Sequence, residues 1–438
     1  MVPWSVYPEK KNRLLDFTLK DHNHNLKYNL VHEFFWGFGI AFHTIYAVVP
    51  LFLKNLGAPE SIAVSSAGLF NILIALPMLA ISALGRNIQD IKRSVIIVHS
   101  LVIIILFMMG FTFTFINIDS LKVAWVVYFI YFLLYGLSIG IVVPIWAEFL
   151  KKTTLKSERG QFFGLSFAFN SIGSFVGGVV LRLLLNSDIP FPKNFGVGFI
   201  ILFFSIVLGT LVFLFYRVKP ETNLYHHKSI KDFILETKQI IKGHKNFQYY
   251  LLSRIFFCAS LPGMGLYAIY CQKKFNFDIS EAGIFTILNV IASGAASYLV
   301  GKIGDRWGHK KGMIIAYIAH FSAVIVALYS NNMYWVYGIF IILGIGNGAF
   351  MPSAMNLVYD FAQDRDTKTY MALIDSFLAP FVLFFLTSVG FFVQNNNYTI
   401  VFNILGSCFV LSIFLICFLV KDPRNSKYPD INVDRFSS

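Results

Sequence analysis

Charge is what this sequence has least of. Of its 438 residues only 13% are Asp, Glu, Lys or Arg, about half the share of an ordinary soluble domain. Acidic residues are the scarcer sign, 23 against 36 Lys plus Arg. So little charge excludes a soluble enzyme, and also a disordered chain, which is rich in charge and poor in apolar residues. Cysteine is nearly as scarce: Cys258, Cys271, Cys408 and Cys417 form no C-x-x-C pair. That excludes a disulfide-stapled secreted fold and gives no metal-ligand spacing, so the four read as small buried hydrophobes, with no cofactor or metal expected. The chain lacks a G-x-x-x-x-G-K-[ST] run, which excludes an ATP-driven pump. His32-Glu33 is followed by Trp36 where a zinc protease needs a second His. Nothing reads as a nucleophile elbow or as paired catalytic carboxylates, and the chain is not expected to be an enzyme.

What is present is apolar. Hydrophobic residues make up 56% of the chain and aromatics 17%, with 48 Phe, and the mean hydropathy is +0.65. This is the composition of an integral membrane protein. A span needs roughly 20 mostly apolar residues to cross about 30 Å of hydrocarbon. Twelve such runs are read at 29–54, 61–84, 94–115, 123–149, 162–185, 197–216, 248–272, 280–300, 313–330, 333–358, 369–393 and 398–420. Backbone groups in lipid must bond internally, and barrel strands would be only about ten residues of alternating polarity. The fold class is therefore all-α, with twelve transmembrane helices.

The basic residues orient the spans. The two tails and the even-numbered connections hold 29 of the 36; the odd-numbered connections and their helix ends hold six, and Arg254 lies inside the seventh span. The positive-inside rule then places both termini in the cytoplasm. The first 28 residues carry neither an apolar core nor a cleavage site, so no cleaved signal is expected. The net charge of +13 is accounted for by topology and by attraction to anionic lipid, with no nucleic-acid partner.

Residues 1–28 form an N-terminal tail, 29–216 a first six-span bundle, 217–247 a linker, 248–420 a second bundle and 421–438 a C-terminal tail. In the linker Ile230, Phe233, Ile234, Thr237, Ile240 and Ile241 share one helical face among lysines, which predicts an amphipathic helix on the cytoplasmic leaflet. The halves look like copies. Gly136-x3-Gly140-x3-Pro144 in the fourth span recurs as Gly344-x3-Gly348-x3-Pro352 in the tenth, 208 residues on. Tyr46-Ala47 matches Tyr267-Ala268, and Glu33 matches Arg254, both 221 residues on. Six spans per copy keep the orientation, so the copies are parallel repeats about an axis along the membrane normal.

Between the eighth and ninth spans the chain reads Gly301-Lys-Ile-Gly304-Asp305-Arg306-Trp-Gly308-His309-Lys310-Lys311. This resembles the cytoplasmic signature of the major facilitator superfamily, G-x-x-x-D-R-x-G-R-R/K, with His309 in place of Arg. The glycines permit a tight turn and close helix approach, and Asp305 can face a helix N-terminus. Arg306, Lys310 and Lys311 are expected to hold the loop at the lipid surface. The equivalent loop of the first half, 85–93, has Asn87 for the Asp but keeps the basic pair Lys92-Arg93. Arg159-Gly160 precedes a fifth span containing Gly164-x8-Gly173-x3-Gly177-Gly178, similar to the antiporter signature without its Pro. The Arg that many proton-coupled drug exporters carry in the fourth span is absent. The resemblance covers residues 28–420 and is closest to little-characterised bacterial permeases. It implies two pseudo-symmetric six-helix bundles, a monomer in a bacterial inner membrane, and alternating access.

Charged groups at membrane depth default to functional candidates. His32 and His43, eleven residues apart, fall about 20° apart on a helix, and His43 is the mid-depth candidate for substrate or proton binding. Glu33 and Arg254, both candidates for substrate or proton binding, are expected to pair across the two halves as a gate or structural pair, with direct substrate contact the alternative. Asp375 is a proton carrier, an anchor for a cation or a partner for Arg254, and Glu148 belongs to a gate. Asn71, Asn170, Asn289 and Asn347 are pocket or helix-glue candidates. The expected activity is secondary active transport of a small solute, with protons as a possible coupling ion. The alternatives are proton-linked efflux of amphipathic, drug-like compounds and a non-transporting sensor or assembly factor on the same fold.

Overall fold

The computed structural model describes residues 17–45, 48–84, 88, 90–116, 121–219, 230–276, 281–363, 367–395 and 397–425. Fifteen α-helices occur there: α1 Leu19–Ile40, α2 Val48–Asn55, α3 Glu60–Leu84, α4 Ile91–Phe115, α5 Leu121–Lys152, α6 Arg159–Leu185, α7 Lys193–Leu211, α8 Ile230–Gly243, α9 Lys245–Phe257, α10 Ser260–Phe275, α11 Glu281–Trp307, α12 His309–Tyr329, α13 Met333–Ala362, α14 Thr367–Gln394 and α15 Tyr398–Phe414. They make twelve membrane-crossing units: α1 with α2 form the first and α9 with α10 the seventh. Among the described residues nine helices are long and apolar enough to cross a membrane unaided. α8 lies in the linker.

The first and seventh crossings differ from expectation. The first helix begins near residue 19, not 29, because Thr18 and Asp21 form a capping box that starts it in a polar stretch. It ends at Ile40 and passes into a 3-10 turn, Ala41–His43, before α2. The seventh crossing breaks at Cys258-Ala259. The matched Tyr46-Ala47 and Asn87 lie outside the described residues.

The Gly-x3-Gly repeat has one physical role in both halves. A Cβ on Gly140 would lie 2.2 Å from the Ile74 carbonyl of α3, and one on Gly348 would lie 2.1 Å from the Ser293 carbonyl of α11. Only glycine lets α5 press onto α3, and α13 onto α11, at these points. Two further devices recur. Asn25 of α1 donates its amide to the carbonyls of Thr153 and Arg217 and accepts from the Arg217 N–H, at 2.7–2.9 Å. Asn246 of α9, 221 residues on, brackets Lys421 in the same way, at 2.8 and 2.7 Å. Lys92 donates to the carbonyls of Leu214 and Tyr216, and Lys310 to the carbonyl of Cys417. The end of each bundle's last crossing is thus capped by a lysine from the first turn of α4 or α12 in its own half, where C-terminal carbonyls need donors. Lys311 lies over the Trp307 ring, 5.2 Å from its centroid.

The buried apolar side chains fall into two clusters, one from Phe42 to Tyr216 joined by Met355 and Tyr359, the other from Ile240 to Val420. Ile240 of α8 belongs to the second, whereas Ile234 is exposed. The amphipathic helix is therefore docked on the second bundle by part of the face that the sequence marks.

Candidate functional site

Four polar side chains lie between eight and fourteen residues from the terminus-bearing ends of their helices, roughly 12–21 Å by helical rise. They are Glu33 on α1, Asn170 on α6, Arg254 on α9 and Asp375 on α14. Glu33 is 3% exposed, and its Oε2 accepts a hydrogen bond from the Asn170 amide at 3.0 Å. The helices come close enough for this because a Cβ on Gly37 would meet the Asn170 carbonyl at 2.0 Å, and one on Gly173 the Phe34 carbonyl at 2.1 Å. Arg254 donates to the Tyr250 hydroxyl at 3.1 Å and lies 4.7 Å from the Phe350 ring centroid, a cation–π contact. Its Nε is buried without a partner. Asp375 lies within electrostatic range of Arg254.

Glu33 and Arg254 do not pair. Each is instead engaged within its own half, Glu33 by Asn170 of α6 and Arg254 by Tyr250 and by Phe350 of α13. His43 is also displaced from the expected site. The helix that would align it with His32 ends at Ile40, and His43 is 2% exposed. Its Nε2 meets the Tyr128 hydroxyl at 3.0 Å, and Phe132, Tyr135 and Phe199 surround the ring. All belong to the first half, so His43 sits in that bundle's interior. His32 bonds the Gly209 carbonyl at 2.9 Å and lies edge-on to His99.

Of the amides, Asn289 bonds the Phe340 carbonyl at 3.1 Å and Asn347 bonds His320. Both join helices within the second bundle. Asn71 lies on α3, half-buried.

Towards the terminus-bearing end the two halves meet. Asp305, near the end of α11, accepts from the backbone N–H groups of Gly160 and Gln161 at 2.7 and 2.6 Å. These are orphan donors at the start of α6, where positive dipole and free N–H groups favour a carboxylate. The expected role of Asp305 is thus met across the two halves. The approach needs Gly160 and Gly301: a Cβ on Gly301 would lie 2.3 Å from the Gly160 carbonyl. The His309 ring is buried beneath Gly304 and Gly160, with Nε2 3.8 Å from Asp305. Gly308 has φ +94°, a value that favours glycine, and Arg306 is exposed.

Three further contacts complete this seal. The Tyr359 hydroxyl donates to the Ala147 carbonyl at 2.7 Å. Arg159 lies 4.9 Å from the Tyr359 ring centroid and donates to Thr154 Oγ1 and the Lys151 carbonyl at 3.0 and 3.1 Å. On the other side Ser82 donates to Thr369 at 3.3 Å. Glu148 lies beside Arg159 and Tyr359, with one carboxylate oxygen buried and unbonded. Just outside the spans, burial and then the charges of Arg159 and Lys151 bring Lys219 down to about 8. Tyr359 and Thr369 were not marked from the sequence, where a tyrosine and a threonine near span ends carry no signal.

The arrangement is a layer of half-paired charges above a seal made by both halves. The family model described as the Major Facilitator Superfamily matches residues 255–435. The tetracycline resistance protein, class B, of Escherichia coli is 23% identical over 329 residues, 72% of this chain and 75% of that protein. The solved proton:xylose symporter XylE, bound to 6-bromo-6-deoxy-D-glucose, superposes with a TM-score of 0.70 at 13% identity, covering 93% of this chain and 97% of that one. The fucose:proton symporter FucP of E. coli gives 0.70 at 9% identity, covering 90% and 98%.

Proposed function

We propose that this chain, whose residues 255–435 match the Major Facilitator Superfamily model and whose fold resembles that of solved transporters, is a secondary active transporter that moves a small solute by alternating access. The observation that carries this reading is the seal at one end: Asp305 on α6, Tyr359 on Ala147 and Ser82 on Thr369 all join the two bundles. Such contacts close a path at one end and can part without disrupting either bundle's core. The solute binds near the layer above the seal, where Arg254 has an unbonded Nε and Asp375 and Glu33 are the acidic groups. Glu33 and Asp375 are the candidates to carry a coupled proton, since a carboxylate at this depth exchanges charge with the path and little else. The basic bias of the tails and even-numbered connections supports cytoplasmic termini in a bacterial inner membrane.

Two substrate classes divide the reading. Symport of a polar nutrient is favoured by the charged layer. Efflux of amphipathic compounds is favoured by the relative that spans most of this chain, the tetracycline resistance protein. A thermal-shift screen of detergent-purified protein against sugars, amino acids, organic anions and hydrophobic cations separates them. A ligand at about 100 times its dissociation constant adds roughly 2.7 kcal/mol. A polar ligand whose shift is lost in Asp375→Asn or Arg254→Gln is the expected result, followed by uptake into proteoliposomes under a proton gradient. A shift from hydrophobic cations alone moves the reading to efflux. No flux in either direction from folded, reconstituted protein across the whole panel would overturn transport in favour of a sensor on this fold.

A further inference from the structure

The segment that leaves the last helix returns to the seal. Its Arg424 donates from Nη1 to the Asp305 carbonyl at 3.1 Å and from Nη2 to the Gly304 carbonyl. Its Nε faces Asp360 Oδ2, at the end of α13, at 3.9 Å. That oxygen is buried with no hydrogen-bond partner. Gly304 and Asp305 sit in the last turn of α11, where a cation is favoured; the Gly304 carbonyl, which also accepts from the Gly308 N–H at 2.9 Å, has a second lone pair for the guanidinium. One residue therefore stands between Arg424 and the first bundle: the guanidinium holds the Asp305 backbone, and the Asp305 carboxylate holds the N-terminus of α6.

The segment is itself anchored. Asn246 brackets Lys421, and Asp422 accepts the Arg424 N–H at 3.1 Å. Asp422 also packs where a Cβ on Gly308 would lie only 1.7 Å from its Oδ2. The first half has the matching asparagine bracket at Arg217, but that guanidinium turns to Asp21 on α1 at 2.9 Å. The bracket is common to both halves; among the described residues the arginine that reaches Gly304 and Asp305 comes from the second.

We propose that Arg424 is a positioning residue for the seal: it fixes the last turn of α11 so that Asp305 reaches α6, which makes the segment after the last helix a control point for opening this end. The proposal rests on the reading that the bundles part here, but its test requires no substrate. Spin labels at exposed Ser157 and Lys302, in a background with the native cysteines replaced, report the distance between the ends of α6 and α11 in liposome-reconstituted full-length protein. Arg424→Ala should raise the ratio of long to short distances by about fivefold or more, the change that one to two kcal/mol gives, at a thermal midpoint close to the parent's. Arg424→Lys, which keeps the charge but cannot bond both carbonyls in a fork, should fall between. In an Asp305→Asn background, Arg424→Ala should add little, because the two act in series. An unchanged ratio in Arg424→Ala, or in Arg424→Lys should the alanine variant not fold, would overturn the proposal. So would effects of Arg424→Ala and Asp305→Asn that simply multiply. Failure of the transport reading appears elsewhere, as absent flux with these distances still shifting.

Discussion

Lys219 lies between Arg159, Lys151 and the closing helices, and its side chain reaches the Thr154 carbonyl. With its folded pKa lowered to about 8, the native state binds fewer protons than the unfolded chain between that value and the usual lysine value. Stability must therefore rise with pH through that window. The thermal midpoint of detergent-solubilised protein should climb from pH 8 towards pH 10, and Lys219→Met should flatten that slope. An identical slope in the variant would assign it to other groups. At this scale the sequence was partly legible. Glu33 and Asp375 stood out because a carboxylate among apolar residues is rare, and Asp305 because of the glycine- and base-rich signature around it. Arg424 did not, because a basic residue in a polar tail is ordinary until the fold brings it to the turn at Gly304. The Glu33–Arg254 pair failed because a repeat offset reports equivalence within copies, not contact between them.

The glycine repeat decides how closely helices approach. Gly140→Ala and Gly348→Ala each drive a Cβ into a backbone carbonyl, Ile74 and Ser293 respectively, which cannot rotate away as a side chain can. Both variants should lose stability by about 1–3 kcal/mol, the usual range for overpacking, and by similar amounts, read as thermal midpoints. Gly178, with open space where its Cβ would be, serves as the control and should tolerate alanine. Unequal losses from the matched pair would count against equivalent packing. The long apolar runs made most helices readable, because hydropathy and length alone demand a helix in lipid. The breaks at Ala41–His43 and Cys258-Ala259 were not readable. A 3-10 turn and two residues between helices leave hydropathy unchanged, and the 11-residue spacing of His32 and His43 has meaning only on an unbroken helix.

For the whole molecule the contacts between bundles set what can move. Ser82 and Thr369 lie within 3.3 Å across the halves, so Ser82→Cys with Thr369→Cys should form a disulfide under oxidation. Flux of whatever solute the screen identifies should fall to background when the bridge forms and return on reduction. Flux that survives the bridge would mean this end need not open. The seal is one-sided in composition. Asp305 serves it from the second half by accepting from the start of α6, and among the described residues no other carboxylate in the seal accepts from a helix N-terminus across the halves.

The asparagines at 25 and 246 have a consequence of another kind. Each joins the first helix of its bundle to the chain leaving the last, so each half is fastened head to tail without help from the other. The covalent connection through residues 220–229 then carries little of the information that specifies either half. Two polypeptides, 1–223 and 224–438, expressed together, should find one another in the membrane and co-purify as a single assembly. Asn25→Ala or Asn246→Ala should weaken that reunion more than it weakens the intact protein, because only in the severed molecule must each half keep its own shape while it waits for its partner.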